Sequence, residues 1–157
     1  MISLKMLFFK KYLPRTVCLS VLLVSFFFSL IAFKINYNSV RRTFIFPSAD
    51  SGEYVLEYRN LSKKPVQGEI QLFVDELLLG STIERTKLLF KPGTKVISCF
   101  QRGNTLYLNL SKDLLELGEG VIDIKNGMDL LTENIIKNFS KIDSVQIYVN
   151  GKSAFEK

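Results

Sequence analysis

The sequence predicts an α+β domain preceded by one transmembrane helix. Three observations lead to this: an uncharged apolar run near the N-terminus, short segments with alternating hydrophobicity, and two longer segments with helical spacing. The predicted order is strand, strand, helix, strand, strand, helix, strand. A single mixed sheet with both helices packed on one face would bury all the apolar stripes at once. The length of 157 residues suits one modest domain and an appendage.

The apolar run covers residues 16–33 and contains no charge. As a helix it would be about 27 Å long, close to the ~30 Å hydrocarbon core of a bilayer. A buried core helix, the alternative, would show one polar face, and this run does not. The best cleavage position for a signal peptidase follows Ala32, but Leu30 two residues earlier fits it poorly. We therefore expect an uncleaved membrane anchor.

The charges predict the orientation of this anchor. Four of the 21 lysines and arginines lie in residues 1–15, which contain no acidic residue. By the positive-inside rule the N-terminus is cytoplasmic, and residues from about Lys34 onward lie outside the cytoplasmic membrane. The remaining chain is close to neutral and offers little attraction to a phosphate backbone, so no nucleic acid partner is expected.

The soluble part is expected to begin with two strands. Thr43–Phe46 is strand-like and stops at Pro47. In the following segment two sets of side chains alternate, as is typical of a half-buried strand. The first set is Tyr54, Leu56 and Tyr58, and the second is Val55, Glu57 and Arg59.

A helix and a hairpin come next. Pro65 suits a first helical turn, and Gly80 suits a left-handed C-terminal cap. The apolar stripe between them consists of Val66, Ile70, Phe73, Val74, Leu77 and Leu78. The turn signal KPGT then leads into the strand KVISCFQ, and the tight turn 102–104 predicts a hairpin with the strand TLYLNL.

The second helix carries an apolar stripe of Leu131, Ile135 and Phe139. Asn126 is expected to cap this helix, with Asp129 three residues later. The last strand, SVQIYV, ends at the turn signal Asn-Gly of residues 150–151. These two elements complete the predicted order.

The residue types exclude several kinds of chemistry. The chain has no histidine and two cysteines, Cys18 and Cys99. Zinc sites made from Cys and His, and Ser-His or Cys-His catalytic pairs, are thereby excluded. Cys18 lies in the apolar run, so no disulfide is expected, and Cys99 should pack as a small buried hydrophobe. Adjacent Asp75 and Glu76 do not share a helix face. We expect no catalytic residue, no metal and no cofactor.

Several motifs occur in a recognisable order: RTFIFP, VLEYRNL, VDELLLG, FKPGTKVIS, TLYLNLS and FSKIDSVQIYVNGK. With these motifs the chain resembles the GerMN domain family over residues 42–152. Two departures stand out. The family's Gly-Pro after the helix is Gly80-Ser81 here, and Glu57 and Arg59 are two residues apart where a wider spacing is common. The predicted parts are a basic tail (1–15), an anchor (16–33), a linker (34–41), the domain (42–152) and a C-terminal tail (153–157).

The resemblance implies a non-catalytic module outside the cytoplasm, of a kind often attached to a membrane or lipid anchor. The expected function is a single-pass, membrane-anchored module for protein interaction or assembly in the bacterial cell envelope. The alternative is a module that binds peptidoglycan or positions a separate wall hydrolase. The expected partners are the cytoplasmic membrane and other envelope proteins, with a homo-oligomer and peptidoglycan left open.

Two groups of residues are candidates for partner binding. Glu57 and Arg59 could present charge on one strand face, although a surface ion pair contributes only about 0–1 kcal/mol. Leu88, Leu89 and Phe90 lie in the segment 81–91, which is long for a connection, and long loops in compact domains are often functional. The alternative for these three residues is that they cover the sheet.

Overall fold

The structure, a computed structural model, describes the backbone of residues 3–36 and 38–154 and the side chains of residues 16–34 and 38–154. The chain divides into two compact units, Met1–Asn38 and Ser39–Lys157. The side chains of the predicted basic tail, residue 37 of the predicted linker and residues 155–157 of the predicted C-terminal tail lie outside the described part.

The first unit is formed by the helix α1, Ser3–Asn36. Within it, Thr16–Lys34 is a 19-residue segment of mean hydropathy 2.5, and none of the segment is buried within the protein. The segment is long and apolar enough to cross a membrane. The helix is longer than the predicted span because helical backbone continues into the basic tail and the first residues of the linker.

The second unit confirms the α+β class but contains two sheets, so the prediction of a single mixed sheet was wrong. The first sheet is an antiparallel hairpin of β1, Ser39–Pro47, and β2, Tyr54–Ser62. The second sheet contains, in spatial order, β3 (Val96–Arg102), β4 (Thr105–Leu110), β5 (Ser144–Val149) and β6 (Lys152–Ser153). The helices are α2, Glu69–Leu79, and α3, Ile124–Asn138, with a short 3₁₀ helix at Lys112–Leu115.

The second sheet is built around the predicted hairpin. Strands β3 and β4 are antiparallel and joined by a two-residue turn in which Gly103 has a φ of 60°. This conformation suits the first position of a type II′ turn, where glycine is favoured. Strand β5 pairs with β4 in parallel after the crossover through α3, and β6 pairs antiparallel with β5.

The two helices join the sheets in one core. Helix α2 contacts β2 and β3, and α3 contacts β1 and β5. Phe73 of α2 lies at the centre, with its ring 4.6 Å from that of Phe44 and 5.4 Å from that of Phe139. Leu106, Leu108 and Leu110 of β4 share one face of the strand and are fully buried. Burial of this apolar surface is the main stabilising contribution to the fold.

Two asparagines of α3 close the outer edge of β1. The side-chain amide of Asn134 accepts a hydrogen bond from the N–H of Ile45 (2.8 Å) and donates one to the C=O of Ile45 (3.0 Å). One helical turn later, Asn138 makes the same pair of bonds with Thr43, at 2.9 and 2.6 Å. The amides thus replace a neighbouring strand.

The same edge is closed further along by backbone. The N–H of Lys87 donates to the C=O of Pro47, and the N–H of Ala49 donates to the C=O of Arg85, both at 2.8 Å. With its outer edge occupied in this way, β1 cannot pair with a strand of the second sheet. This is the physical reason for two sheets instead of one.

Two predicted helix starts were wrong. Helix α2 begins at Glu69, four residues after Pro65, because Gly68 has a φ of 91°, which is not a helical conformation. Val66, predicted in the apolar stripe, is fully exposed. Helix α3 is capped by Asp123, whose carboxylate accepts a hydrogen bond from the N–H of Asn126. Asn126 itself already belongs to the first helical turn.

At Gly127, helix α3 lies unusually close to the segment that contains Leu89 and Phe90. A Cβ atom there would lie 2.6 Å from the C=O oxygen of Leu89 and 2.9 Å from Cε1 of Phe90. We expect Gly127→Ala to lower the free energy of unfolding by about 1–3 kcal/mol through overpacking, although helix propensity alone favours alanine by roughly 1 kcal/mol. Denaturant unfolding of the full chain in detergent measures this.

Gly118→Ala is the matched control for Gly127→Ala. Its Cβ would have Val121 Cγ2 as its nearest neighbour, at 3.4 Å, an ordinary contact. We expect this variant to unfold like the wild type. An unfolding free energy of Gly127→Ala at or above that of Gly118→Ala would contradict the close approach of α3 to residues 89–90.

Candidate functional site

Glu57 and Arg59 lie on the inner face of β2, where they meet the end of α2. Glu57 is only 7% exposed, and its carboxylate accepts hydrogen bonds from Nε and Nη2 of Arg59 at 2.7 and 3.1 Å. Arg59 Nη1 also donates to the C=O and the carboxylate of Glu76, and Nη2 donates to the C=O of Gly80 at 2.6 Å. Arg59 therefore binds the last carbonyl groups of α2, where a positive charge is favourable.

The segment after α2 completes the coordination of the Glu57 carboxylate. The hydroxyls of Ser81 and Thr82 each donate to it at 2.7 Å, and the N–H of Thr82 donates at 3.2 Å. These bonds, with that of Arg59 first, hold the pKa of Glu57 at about 2 against the opposing effect of burial. The carboxylate is therefore ionised at neutral pH and enclosed by its own chain.

This network corrects the expectation that Glu57 and Arg59 present charge to a partner. Both oxygens of Glu57 already accept hydrogen bonds, and the Arg59 guanidinium lies over the ring of Phe44 at 4.8 Å. The charges of the two groups are thus already paired within the chain. Their role in the structure is to fix the end of α2 against β2.

Leu88, Leu89 and Phe90 also lie against the fold. Leu89 and Phe90 are 1% and 2% exposed and belong to the core, so they are not a contact surface. Leu88 is half-buried, and its backbone pairs with residues 120–122 through bonds of 2.9 and 3.0 Å. For Leu89 and Phe90 the alternative role, covering the fold, therefore describes their position, whereas partner binding by Leu88 stays a prediction.

The outer edge of β2 is the backbone surface that the hairpin leaves open. The N–H of Ser48 donates to the C=O of Glu53, which sets the alternation of the β1–β2 ladder. In this alternation the backbone groups of Leu56, Tyr58 and Asn60 point away from β1. Among residues 38–154, no strand, helix or side chain forms a hydrogen bond with them. We call this surface the open edge of β2.

Three apolar side chains flank the open edge on the outer face of the hairpin. Tyr54, Leu56 and Tyr58 are 63%, 47% and 55% exposed. The guanidinium of Arg41 lies 4.2 Å above the ring of Tyr58. These side chains face outward because the network of Glu57 and Arg59 occupies the inner face of the same strand.

A groove with a volume of about 450 Å³ lies beside β3. It is lined by the start of α2, by Cys99–Gln101 and by the chain at 138–142. Burial raises the pKa of the Cys99 thiol to about 11, so the thiol is protonated at neutral pH and a weak nucleophile. In the described residues, no group of three His, Cys, Asp or Glu side chains could hold a metal ion.

Residues 43–155 match the family model "Germane: Sporulation and spore germination". The chain belongs to this family. As a member of the Germane family it contains the domain that the motifs indicated, and the resemblance to GerMN domains is confirmed.

Two solved structures share this fold. The first GerMN domain of the sporulation protein GerM from Bacillus subtilis has a TM-score of 0.58 and 18% identity, and the match covers 73% of this chain and 85% of that one. The tandem GerMN domains of the same protein give a TM-score of 0.58 at 15% identity, over 74% and 41% of the two chains. At sequence identities of 18% and 15%, these two matches show that the Germane-family chain shares the fold of the GerMN domains.

A relative is found in Treponema pallidum. This chain is 30% identical over 89 residues to an uncharacterized lipoprotein of that organism. The match covers 57% of this Germane-family chain and 66% of the lipoprotein, so slightly less than two thirds of the relative is spanned.

Reasoning from the sequence missed the two asparagines that close the outer edge of β1, and it missed the open edge of β2. The signal for the asparagines is visible in NIIKN, where Asn134 and Asn138 are four residues apart beside the apolar stripe. Buried polar side chains at that spacing need hydrogen-bond partners, so the pattern indicates bonding to another element. The element itself, β1, is 89 residues away from Asn134 and has no local signal.

Proposed function

We propose that this protein is a single-pass membrane protein whose Germane domain binds other proteins of the bacterial cell envelope outside the cytoplasmic membrane. The order of its parts carries the proposal: the apolar segment Thr16–Lys34 comes shortly before the family domain at residues 43–155. The relative described as a lipoprotein supports a position at a membrane. The basic residues before the apolar segment support a cytoplasmic N-terminus.

The proposal includes no catalysis and no cofactor. The strongly perturbed carboxyl group, Glu57, is enclosed by Arg59, Ser81 and Thr82 and has no room for a substrate. The chain contains no histidine that could serve as a general base. These observations favour a binding role over an enzymatic one.

Binding to peptidoglycan is the second candidate function. It is favoured by the outer face of the second sheet, where the rings of Phe100 and Tyr107 stack at 5.1 Å with an angle of 4° between their planes. Phe100 is exposed, and Asn109 and Gln146 lie on the same face. The side-chain amides of Asn109 and Gln146 can donate hydrogen bonds to a polar ligand that stacks on these rings.

Labelling of introduced cysteines tests the orientation. In a variant lacking Cys18 and Cys99, Ser51→Cys lies in an exposed turn between β1 and β2. We expect a membrane-impermeant maleimide to label it in intact cells or in spheroplasts. A cysteine added at the N-terminus should react only after the membrane is permeabilised. The opposite pattern would contradict the proposed topology.

Crosslinking in intact cells, followed by purification of the full-length chain, tests the partner class. Recovery of a defined set of envelope proteins is expected. Recovery of wall fragments instead, reduced by Phe100→Ala, would favour the second candidate. A chain that crosslinks to nothing in native membranes would contradict both functions.

A further inference from the structure

We propose that two copies of this chain pair through the open edge of β2 and form one continuous antiparallel sheet in the order β1, β2, β2, β1. This inference rests on the proposed function and names one partner of the module, a second copy of itself. The pairing is isologous, since each copy contributes the same strand across a two-fold axis.

The first argument is the contrast between the two edges of the hairpin. On the β1 side, backbone groups of Thr43 and Ile45 bond to side-chain amides, and those of Pro47 and Ala49 bond to backbone groups, all within the domain. The β2 side offers a nine-residue strand whose outward backbone groups have none within residues 38–154. Unpaired groups of this kind are a template for another strand.

The second argument is that β2 lacks the usual protection of an edge strand. Edge strands are commonly blunted by lysine, proline, bulges or short length. Residues 54–62 contain no lysine or proline, and the register with β1 is unbroken. By contrast, the edge of β3 has an irregularity between Val96 and Ser98, and β6 is only two residues long.

The inward charges of β2 do not prevent pairing. An inward charge protects an edge because pairing would bury it without a partner. Glu57 and Arg59 already neutralise each other, with Nε and Oε1 2.7 Å apart. A second strand therefore meets a satisfied ion pair.

The third argument is that the strand is complementary to itself in one register. If Tyr58 faces Tyr58 of the second copy, the whole of Tyr54–Ser62 overlaps in the antiparallel sense. Glu57 then lies opposite Arg59 of the second copy, and the outward backbone groups of both strands meet. Opposite charges thus face each other on the inner side, twice by symmetry.

Neighbouring registers are less favourable. A shift of two residues in one direction places Glu57 opposite Glu57, and a shift in the other direction places Arg59 opposite Arg59. Like charges directly opposite are destabilising. After a shift of one residue, the outward N–H and C=O groups of one strand face residues of the other strand whose N–H and C=O groups point toward β1. The outward groups then find no hydrogen-bond partner. Full overlap therefore coincides with the best charge pattern.

Disulfide crosslinking in native membranes tests the pairing with the full-length chain. In a variant lacking Cys18 and Cys99, Tyr58→Cys places two thiols opposite each other, with Cα atoms about 5.5 Å apart. This distance lies within the range of a disulfide. We expect a crosslinked dimer after mild oxidation.

Tyr54→Cys is the matched control, because Tyr54 has similar exposure on the same face and strand. In the proposed register it faces Ser62 of the second copy, and the two introduced cysteines are about 27 Å apart. Tyr58→Cys should give roughly tenfold more dimer, since a disulfide needs Cα atoms within ~7 Å. Equal crosslinking of the two variants would overturn the proposal.

A second pair of variants tests the edge itself. Leu56→Lys adds a charge beside the open edge, and Ile97→Lys adds one at a similarly exposed aliphatic residue, 52% against 47%, on β3. In the Tyr58→Cys chain, Leu56→Lys should reduce the dimer roughly tenfold, as edge lysines disfavour pairing. Ile97→Lys should not change it.

The outcomes separate this inference from the proposed function. If Leu56→Lys and Ile97→Lys melt alike and crosslink alike, self-pairing through β2 is wrong. Other envelope proteins would still be recovered with both variants, and the proposed function would stand. If no envelope protein is recovered but the dimer forms, the proposed function is contradicted while the pairing holds.

Discussion

Glu57→Ala is expected to lower the free energy of unfolding by about 3–5 kcal/mol, because removing one member of a buried ion pair leaves the other uncompensated. The substitution removes the bonds from Arg59, Ser81 and Thr82 that hold the end of α2 against β2. Arg59 retains its bond to Glu76, which limits the effect to the lower part of that range. Denaturant unfolding of the full chain in detergent measures the change.

Glu84→Ala is the control for Glu57→Ala, since Glu84 is an exposed residue of the segment that follows α2. It should unfold within about 0.5 kcal/mol of the wild type, as is usual for exposed positions. If Glu57→Ala falls in the same range, the network does not stabilise the domain.

The charge of Glu57 should also make stability depend on pH. Its pKa is about 2 in the folded chain and 4.5 ordinarily. A lowered folded pKa adds stability that is present above about pH 4.5 and is lost as the pH falls toward about 2. The amount lost is about 3 kcal/mol, since each unit corresponds to ~1.4 kcal/mol. The unfolding free energy of Glu57→Gln, measured from pH 7 to pH 2, should lack this pH-dependent loss. If it falls as much as that of the wild type, the loss comes from other carboxyl groups.

Asn134→Ala is expected to cost about 2–5 kcal/mol, the second large effect. Asn134 is fully buried and bonds to the N–H and C=O of Ile45 and to the C=O of Leu130. Without it the backbone groups of Ile45 lose their partners inside the protein, at about 1–3 kcal/mol for each unsatisfied group. Denaturant unfolding gives the total, and amide hydrogen exchange at Ile45 reports the local effect.

Two variants of the same helix serve as comparisons, and both should lose less stability than Asn134→Ala. Asn138→Ala should cost less, because its bonds to Thr43 are partly buried and water can replace them. Glu133→Ala, at an exposed position of the same helix, should have little effect. If the Ile45 amide exchanges equally slowly in Asn134→Ala and Glu133→Ala, the amides do not close the β1 edge.

Local patterns were sufficient to predict most of the elements. The stripe of Leu131, Ile135 and Phe139 has the 3.6-residue period of a helix, and the turn at Gly103 indicates a hairpin by itself. Such signals lie within a few residues of each other. They predict which segments are helices and strands, and the order of the motifs leads to the family.

The number of sheets depends on contacts that local patterns do not contain. Asn134 and Ile45 are 89 residues apart, and the spacing of Asn134 and Asn138 does not show which element their amides bind. The side of β2 that faces inward was equally hidden. Alternation in Tyr54–Arg59 showed two faces, but the polar one is buried because Glu57 and Arg59 meet the end of α2.

The candidate binding surface was predictable only in part. The sequence contained the apolar face of β2 but assigned partner binding to Leu89 and Phe90, which fill the core instead. An exposed strand edge is defined by what the rest of the chain leaves uncovered. It can be recognised only after the hydrogen bonds of Thr43 and Ile45 have been accounted for.

Because α3 closes the edge of β1, the order of synthesis decides how long that edge stays open in the new chain. Strands β1 and β2 are complete at Ser62, whereas Asn134 and Asn138 are made only later, with α3. Until α3 has left the ribosome and, on the proposed topology, crossed the membrane, the β1 side of the hairpin lacks these partners. Contacts between residues that are distant in the sequence form late. Before they form, the unpaired strand edge is prone to premature association. A chain truncated before residue 134 should therefore depend on chaperones that hold exported polypeptides.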